Sequence, residues 1–270
     1  MSHKYGVSGS TILSDPNRFE ELFWKDIDLI EIGEFPDEAA FQAFSELRKE
    51  KEVPFGVHSP LFRSGSKYDL IQKVNVEPEN AWESLEREAE RLSRLGAEYI
   101  LVHFPYFLNE DKKENVNFLI ERGLQRLSLL QEKYSIPFIC EPKLGPKKSP
   151  IGIDYLDQFP EKLWAKYSIK LCIDIGDYLL ATGDQILTYL KKWKKHIGVV
   201  HLHNVAFQNN RYIWIPVHPS HETNGTQYKI EHIIKFLKQC EKVNFIFEHT
   251  PHSNPKKEFV QGGYEWIKTL

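Results

Sequence analysis

Short apolar runs rich in β-branched and aromatic residues alternate with stretches of helical period from one end of the chain to the other. The runs read KYGVSGS, DLIEIGE, PFGVHSP, YILVHFP, PFICEP, KLCIDIGD, GVVHLHN and VNFIFEHT. Their composition reads as that of strands. Between them the spacing predicts a helix near Pro16–Trp24 with Asp15 as its cap, and another from about Pro36 to Lys51 with proline in the first turn. Over Pro78–Leu95 the apolar positions Ala81, Leu85, Ala89 and Leu92 keep helical spacing, and Gly96 closes the element. Asn115–Tyr134, Asp184–Lys195, Ile230–Cys240 and Phe259–Lys268 read as further helices. Asp154–Lys166 reads as an amphipathic turn, and Val205–Gln227 as a long irregular segment.

About eight strand–helix units in alternation define an α/β protein with a parallel sheet, and that number is the one a (β/α)₈ TIM barrel requires. A doubly wound open sheet is the runner-up, but its Gly-rich phosphate turn is missing, because GVSGSTILS lacks the GxGxxG spacing. No linker or low-complexity tract interrupts the alternation, so residues 1–270 read as a single domain.

Composition removes some classes of function. A formal charge of -3 over 270 residues and a sequence pI near 6.4 disfavour a nucleic-acid partner gripped by charge alone, although a local basic patch would be hidden in the average. No apolar run is long enough to cross a bilayer, and MSHKYGVSGS lacks the apolar core of a signal peptide. The expected location is therefore cytoplasmic, with no membrane partner. Cys140 and Cys172 fall in strands and alternate onto opposite faces, and Cys240 falls near a helix end. Buried free thiols are expected rather than a disulfide or a zinc-type cysteine site.

The chemistry gathers at the strand tips. Glu141, Asp174, His201 and Glu248 each sit near the C-terminal end of a separate apolar run. Active-site groups of a parallel barrel come from these ends. Alternation places Glu141 on the face of Ile139, Asp174 on that of Cys172, His201 on that of Val199, and Glu248 on that of Ile246. Three carboxylates and an imidazole suit one divalent cation, with Mn²⁺ or Zn²⁺ first and Co²⁺ or Mg²⁺ next. Burying the three anions without a cation would be costly. His58, His103 and His203 share that mouth and are candidate substrate-binding groups, and Glu31 closes the second strand. Asp177 and His221 are candidates for a further metal or for supporting the ligands. The loop Lys143–Lys148 reads either as a solvated segment or as the place where Lys143 meets an anionic substrate group. Trp214, Tyr212, Phe104 and Tyr106 are candidate pocket walls or ordinary loop packing.

At these residues the chain resembles the xylose isomerase-like TIM-barrel superfamily, which holds sugar and sugar-phosphate isomerases and epimerases together with endonuclease IV. Glu141 in ICEPK, Asp174 in CIDIGD, His201 in HLHN and Glu248 in FEHT match that superfamily's single-metal quartet strand by strand. His58 in VHSP, His103 in VHFP and CIDIGDYLLATGD resemble the endonuclease IV branch, in which extra histidines complete a three-zinc cluster. The match departs at Asp177, where that branch has histidine, and at Pro219, Ser220 and His221, where it has Asp-Arg-His. The resemblance implies a metal-dependent isomerase or epimerase of a small carbohydrate-like compound, with Glu141 and Glu248 as catalytic proton carriers and an enediolate between the two steps. Its alternatives are a phosphodiesterase acting on abasic DNA and a dehydratase of the same superfamily. A barrel that binds a sugar-like ligand without turning it over is a further reading. No sequence feature sets the oligomeric state.

Overall fold

The computed structural model describes residues 2–108, 115–225 and 227–270. Eight parallel strands close into a barrel: β1 (Lys4–Ser8), β2 (Leu29–Ile32), β3 (Phe55–His58), β4 (Ile100–His103), β5 (Phe138–Glu141), β6 (Lys170–Asp174), β7 (Ile197–Leu202) and β10 (Asn244–Phe247). Around the barrel they run in chain order, with β10 closing between β7 and β1. The two strands left over in this numbering, β8 (Asn204–Gln208) and β9 (Arg211–Ile215), form a separate hairpin beyond β7. The chain is a single-domain (β/α)₈ barrel, as the alternation of its apolar runs predicts.

Most helices lie where the apolar spacing puts them. Among them are α1 (Glu38–Glu50), α2 (Pro78–Leu95) and α3 (Val116–Tyr134). In α2, Ala81, Leu85, Ala89 and Leu92 are buried, and Gly96 ends the helix at φ 73°. Four segments differ from expectation. Pro16–Leu22 is a 3₁₀ helix capped by Asp15. The amphipathic turn is two helices, α4 (Ile151–Gln158) and α5 (Glu161–Tyr167), divided at Pro160, whose ring disfavours helical backbone at Phe159. A helix read as strand tail, α6 (Ile175–Thr182), precedes the expected α7 (Ile186–Trp193), because Asp174 caps it by accepting from Asp177 N at 2.8 Å. The fourth is the stretch read as irregular, which opens with the β8–β9 hairpin turning through Asn209 and Asn210 at φ 51° and 58°. Thr226, within the same stretch, lies outside the described residues. After α8 (His221–Asn224), the last helices are α9 (Glu231–Leu237) and α10 (Lys257–Thr269). Among the described residues, no helix is long and apolar enough to cross a membrane.

Strand register positions the site. Leu29, Tyr99, Leu101, Ile139, Cys172, Val199 and Ile246 form a closed apolar cluster inside the barrel. Two residues further along the same strand faces stand Glu31, His103, Glu141, Asp174, His201 and Glu248. His103 is level with Glu141, and Asp174 with His201. The last pairing depends on an irregularity between Leu171 and Cys172, where the register moves on by one residue so that Cys172 faces Val199. Without it the inward residues of β6 and β7 would fall out of step. Cys140, one residue off the inward face, belongs to the outer core, and all three cysteines are free and buried.

Candidate active site

The apolar plug closes the barrel from below, so the polar side chains above it meet solvent only at the mouth, in a cavity of ≈ 490 Å³. Glu141, Asp174, His201 and Glu248 each offer a ligand atom, and these atoms lie within 4.8 Å of one another. Their contacts are close but badly aligned. His201 Nδ1 lies 2.7 Å from Glu248 Oε2 and 3.5 Å from Glu141 Oε1, yet it has no hydrogen-bond partner. Glu141 Oε2 is likewise buried without one. Side chains that approach one another while aiming at a common point fit a cation better than a hydrogen-bonded network.

The other face of His201 supports the same assignment. Its Nε2 meets Glu31 Oε1 at 2.8 Å, while Tyr99 donates to Glu31 Oε2 at 2.7 Å. A histidine whose outer nitrogen is held by a carboxylate presents the inner one to a metal, with its ring orientation fixed. Room for Tyr99 comes from Gly56, where a Cβ would sit 2.5 Å from the Tyr99 ring. Glu31→Gln is expected to keep the fold and weaken metal affinity by roughly 10–100-fold. Titration with a competing chelator reads this, and unchanged affinity would remove Glu31 from the site.

Charge is concentrated here. Burial alone would raise the Glu141 carboxyl, but Lys143, His103 and His201 outweigh it and hold the group well below its ordinary range. Burial also opposes ionised Asp174, which His203 and Lys143 nevertheless keep below its usual value. Asp177 goes the other way: burial, then the Asp174 charge, raise it to about 6 despite Lys143. Burial works against a charged His201, yet Cys172 and the Glu248, Glu31 and Glu141 carboxylates raise it well above the ordinary imidazole value. His103 is lowered well below that value by burial, with Glu141 opposing.

The remaining candidates divide. His58 Nε2 and His103 Nε2 lie 3.4 and 3.1 Å from Glu141 Oε2 and 3.2 Å from each other, so His58, His103 and Glu141 form a second group able to hold an ion. A third group is Glu31, His58, His201 and Glu248. His203 Nε2 lies 2.9 Å from Asp174 Oδ1, its ring stacked on Trp214. Lys143 lines the cavity, and its ammonium turns inward to Glu141, Asp174 and Asp177. Asp177 meets that ammonium and belongs to none of the three groups. His221 also stands outside them, packed with His218 and Phe259 and 3.5 Å from Asn204. Trp214 and Tyr106 line the mouth, whereas Tyr212 is exposed on the hairpin and Phe104 is buried against Gly123. Three further residues stand at the site: Tyr99, Tyr68, and Ser8, whose hydroxyl donates to Glu248 Oε1 at 3.4 Å. Tyr99 was legible, since residues 99, 101 and 103 alternate onto one face; Tyr68, stacked on His103, comes from a loop that no periodicity reaches.

Gly176 makes a further close approach. A Cβ there would lie 2.2 Å from Cε1 of the His203 ring, which is stacked on Trp214. Gly176→Ala is expected to destabilise the protein by about 1–3 kcal/mol and to move His203 away from Asp174. Thermal unfolding together with the His203 ring resonances checks this; wild-type values for both would contradict it.

A family model described as a xylose isomerase-like TIM barrel matches residues 18–270. No curated protein matches the sequence. Among solved structures, the fold is similar to 3-keto-D-glucoside 4-epimerase YcjR from E. coli at TM-score 0.66 and 12% identity, covering 100% of both chains. A D-tagatose 3-epimerase-like protein gives 0.66 and 17%, with 98% of each chain covered. An AP endonuclease of family 2 from Brucella melitensis gives 0.65 and 13%, covering 100% of this chain and 99% of that one. At such identities the likeness is one of fold.

Proposed function

Because the chain belongs to the xylose isomerase-like TIM-barrel family, we propose that it is a divalent-metal-dependent isomerase or epimerase of a small hydroxy-carbonyl compound such as a sugar, sugar phosphate or keto acid. The observation that carries the reading is the pair Glu141 and Glu248. They enter the same centre from β5 and β10, which are separated by two strands of the barrel wall, and both meet His201 Nδ1. A substrate carbon held between them has a carboxylate on either side. Glu141 and Glu248 would remove a proton from the carbon beside the carbonyl and return one to it or to its neighbour. With Asp174 and His201 they would also hold the ion, and Glu31 would fix the His201 ring.

When bound, the ion would supply positive charge at the substrate's carbonyl and hydroxyl oxygens, where negative charge develops as the C–H bond ionises. His58, His103 and His203 offer ring nitrogens to substrate hydroxyls. Tyr68 and Trp214 wall the cavity against water. The test is a panel of ketoses, their phosphates and keto acids offered to the metal-loaded protein in D₂O. Deuterium entering product at the exchanged carbon is the expected result. A panel with neither exchange nor turnover would count against the assignment.

The group formed by His58, His103 and Glu141 favours a second reading, a phosphodiesterase acting on abasic DNA, in which these residues would hold an ion beside the one at the quartet. Cleavage of an abasic oligonucleotide together with more than one ion per chain would establish that reading in place of the first.

A further inference from the structure

We propose that the Lys143 ammonium is a built-in cation standing where Glu141, Asp174 and Asp177 would otherwise gather a further metal ion, and that it thereby fixes how many ions the centre takes. The inference rests on reading Glu141 and Asp174 as ligands of a metal.

Lys143 Nζ lies 2.9 Å from Glu141 Oε1, 3.5 Å from Asp174 Oδ2 and 2.5 Å from Asp177 Oδ2. Three oxygens from three carboxylates surround one nitrogen, which carries three N–H donors. All three acids are buried. The lysine's backbone is fixed in place: its N–H donates to Pro105 O at 3.2 Å, and its carbonyl packs against Gly152, where a Cβ would lie 2.3 Å away. The side chain therefore turns back over the barrel mouth. In the same loop Lys147 and Lys148 point to solvent, Lys148 lying 4.4 Å over the Trp214 ring. Oxygen atoms converging from several carboxylates are the donor set of a hard divalent ion. Here that position already holds a charge of one, supplied by the chain.

Removing the amine while keeping most of the stem leaves three buried carboxylates without their counter-charge, a costly arrangement. A metal ion restores it. Wild type, Lys143→Met, Lys143→Arg and Lys143→Met/Asp177→Asn, all full length, are dialysed to saturation against Mn²⁺ or Zn²⁺, and bound metal is counted per chain. Lys143→Met is expected to hold one ion more than wild type. Lys143→Arg and the double variant are expected to keep the wild-type number. An unchanged count in folded Lys143→Met overturns the proposal. A wild-type count of zero would sink the metal-centre reading and this inference with it, whereas a wild-type count of one or more that is unchanged in folded Lys143→Met overturns this inference alone.

Amine acylation followed by peptide mass mapping decides it on wild type alone, should Lys143→Met fail to fold. Lys143 is expected to stay protected with and without saturating metal while Lys147 and Lys148 react. Lys143 becoming as reactive as those two on metal loading would show that the ion displaces the ammonium, and would overturn the proposal.

Discussion

Glu141→Gln and Glu248→Gln are each expected to lower turnover by roughly 10²–10⁴-fold, the range a positioned proton carrier supplies. The amide keeps the shape of the side chain and loses its basicity. It also gives up one anionic ligand, so metal content must be measured beside rate. Two outcomes separate the roles. If the ion stays bound at saturating metal while kcat falls, the carboxylate is a proton carrier. If turnover returns to wild type once enough metal is supplied, the carboxylate served only as a ligand and the proposed mechanism fails. Asp174→Asn is the internal control. Its carboxylate contacts His203 and Lys143 and caps α6, so its loss should act on metal affinity and helix position. Comparing the exchange of substrate hydrogen with solvent in the two glutamine variants would assign the direction of each step. A variant that still exchanges without completing turnover retains the first base.

Metal removal should have the second largest effect. With an ion at a hundred times its dissociation constant, binding to the native state alone stabilises it by ~2.7 kcal/mol. That corresponds to a rise in Tm of roughly 5–10 °C for a chain of this size. Chelation should reverse it, and equal melting temperatures in chelator and in manganese would contradict a site at the quartet. The pH dependence has a definite sign. Burial opposes a charged His201, but Cys172 and the Glu248, Glu31 and Glu141 carboxylates raise its pKa well above the ordinary imidazole value. An ion that takes His201 Nδ1 competes with a proton there, so apparent affinity is expected to fall as pH falls, with protons released on loading. Calorimetric titration in buffers of different ionisation enthalpy measures that release.

What the sequence discloses and what it hides have physical causes. A period of two assigns faces, which is why the sequence alone puts Glu141, Asp174, His201 and Glu248 at one mouth and separates Cys172 from Cys140. Register is less visible, and the irregularity that brings Asp174 level with His201 leaves no mark beyond Gly198 in β7. α6 hid behind its own capping residue, since IGDYLLAT continues the apolar run of β6. The hairpin has a local signal in its two asparagines, Asn209 and Asn210, between VAFQ and RYIWI. For Lys143 the sequence offers a solvated loop or a substrate anion, and it does not disclose the contacts of its ammonium with Glu141, Asp174 and Asp177. Only the docking of that loop on Gly152 turns its ammonium inward, and no local pattern encodes such a contact.

The proposed chemistry needs one cation among the four strand tips. Crystals grown with manganese and measured near its absorption edge test this most directly through the anomalous difference map. A peak bounded by Glu141, Asp174, His201 Nδ1 and Glu248 is the predicted result. A map without a peak there, from a protein whose bulk solution holds ample manganese, would contradict it.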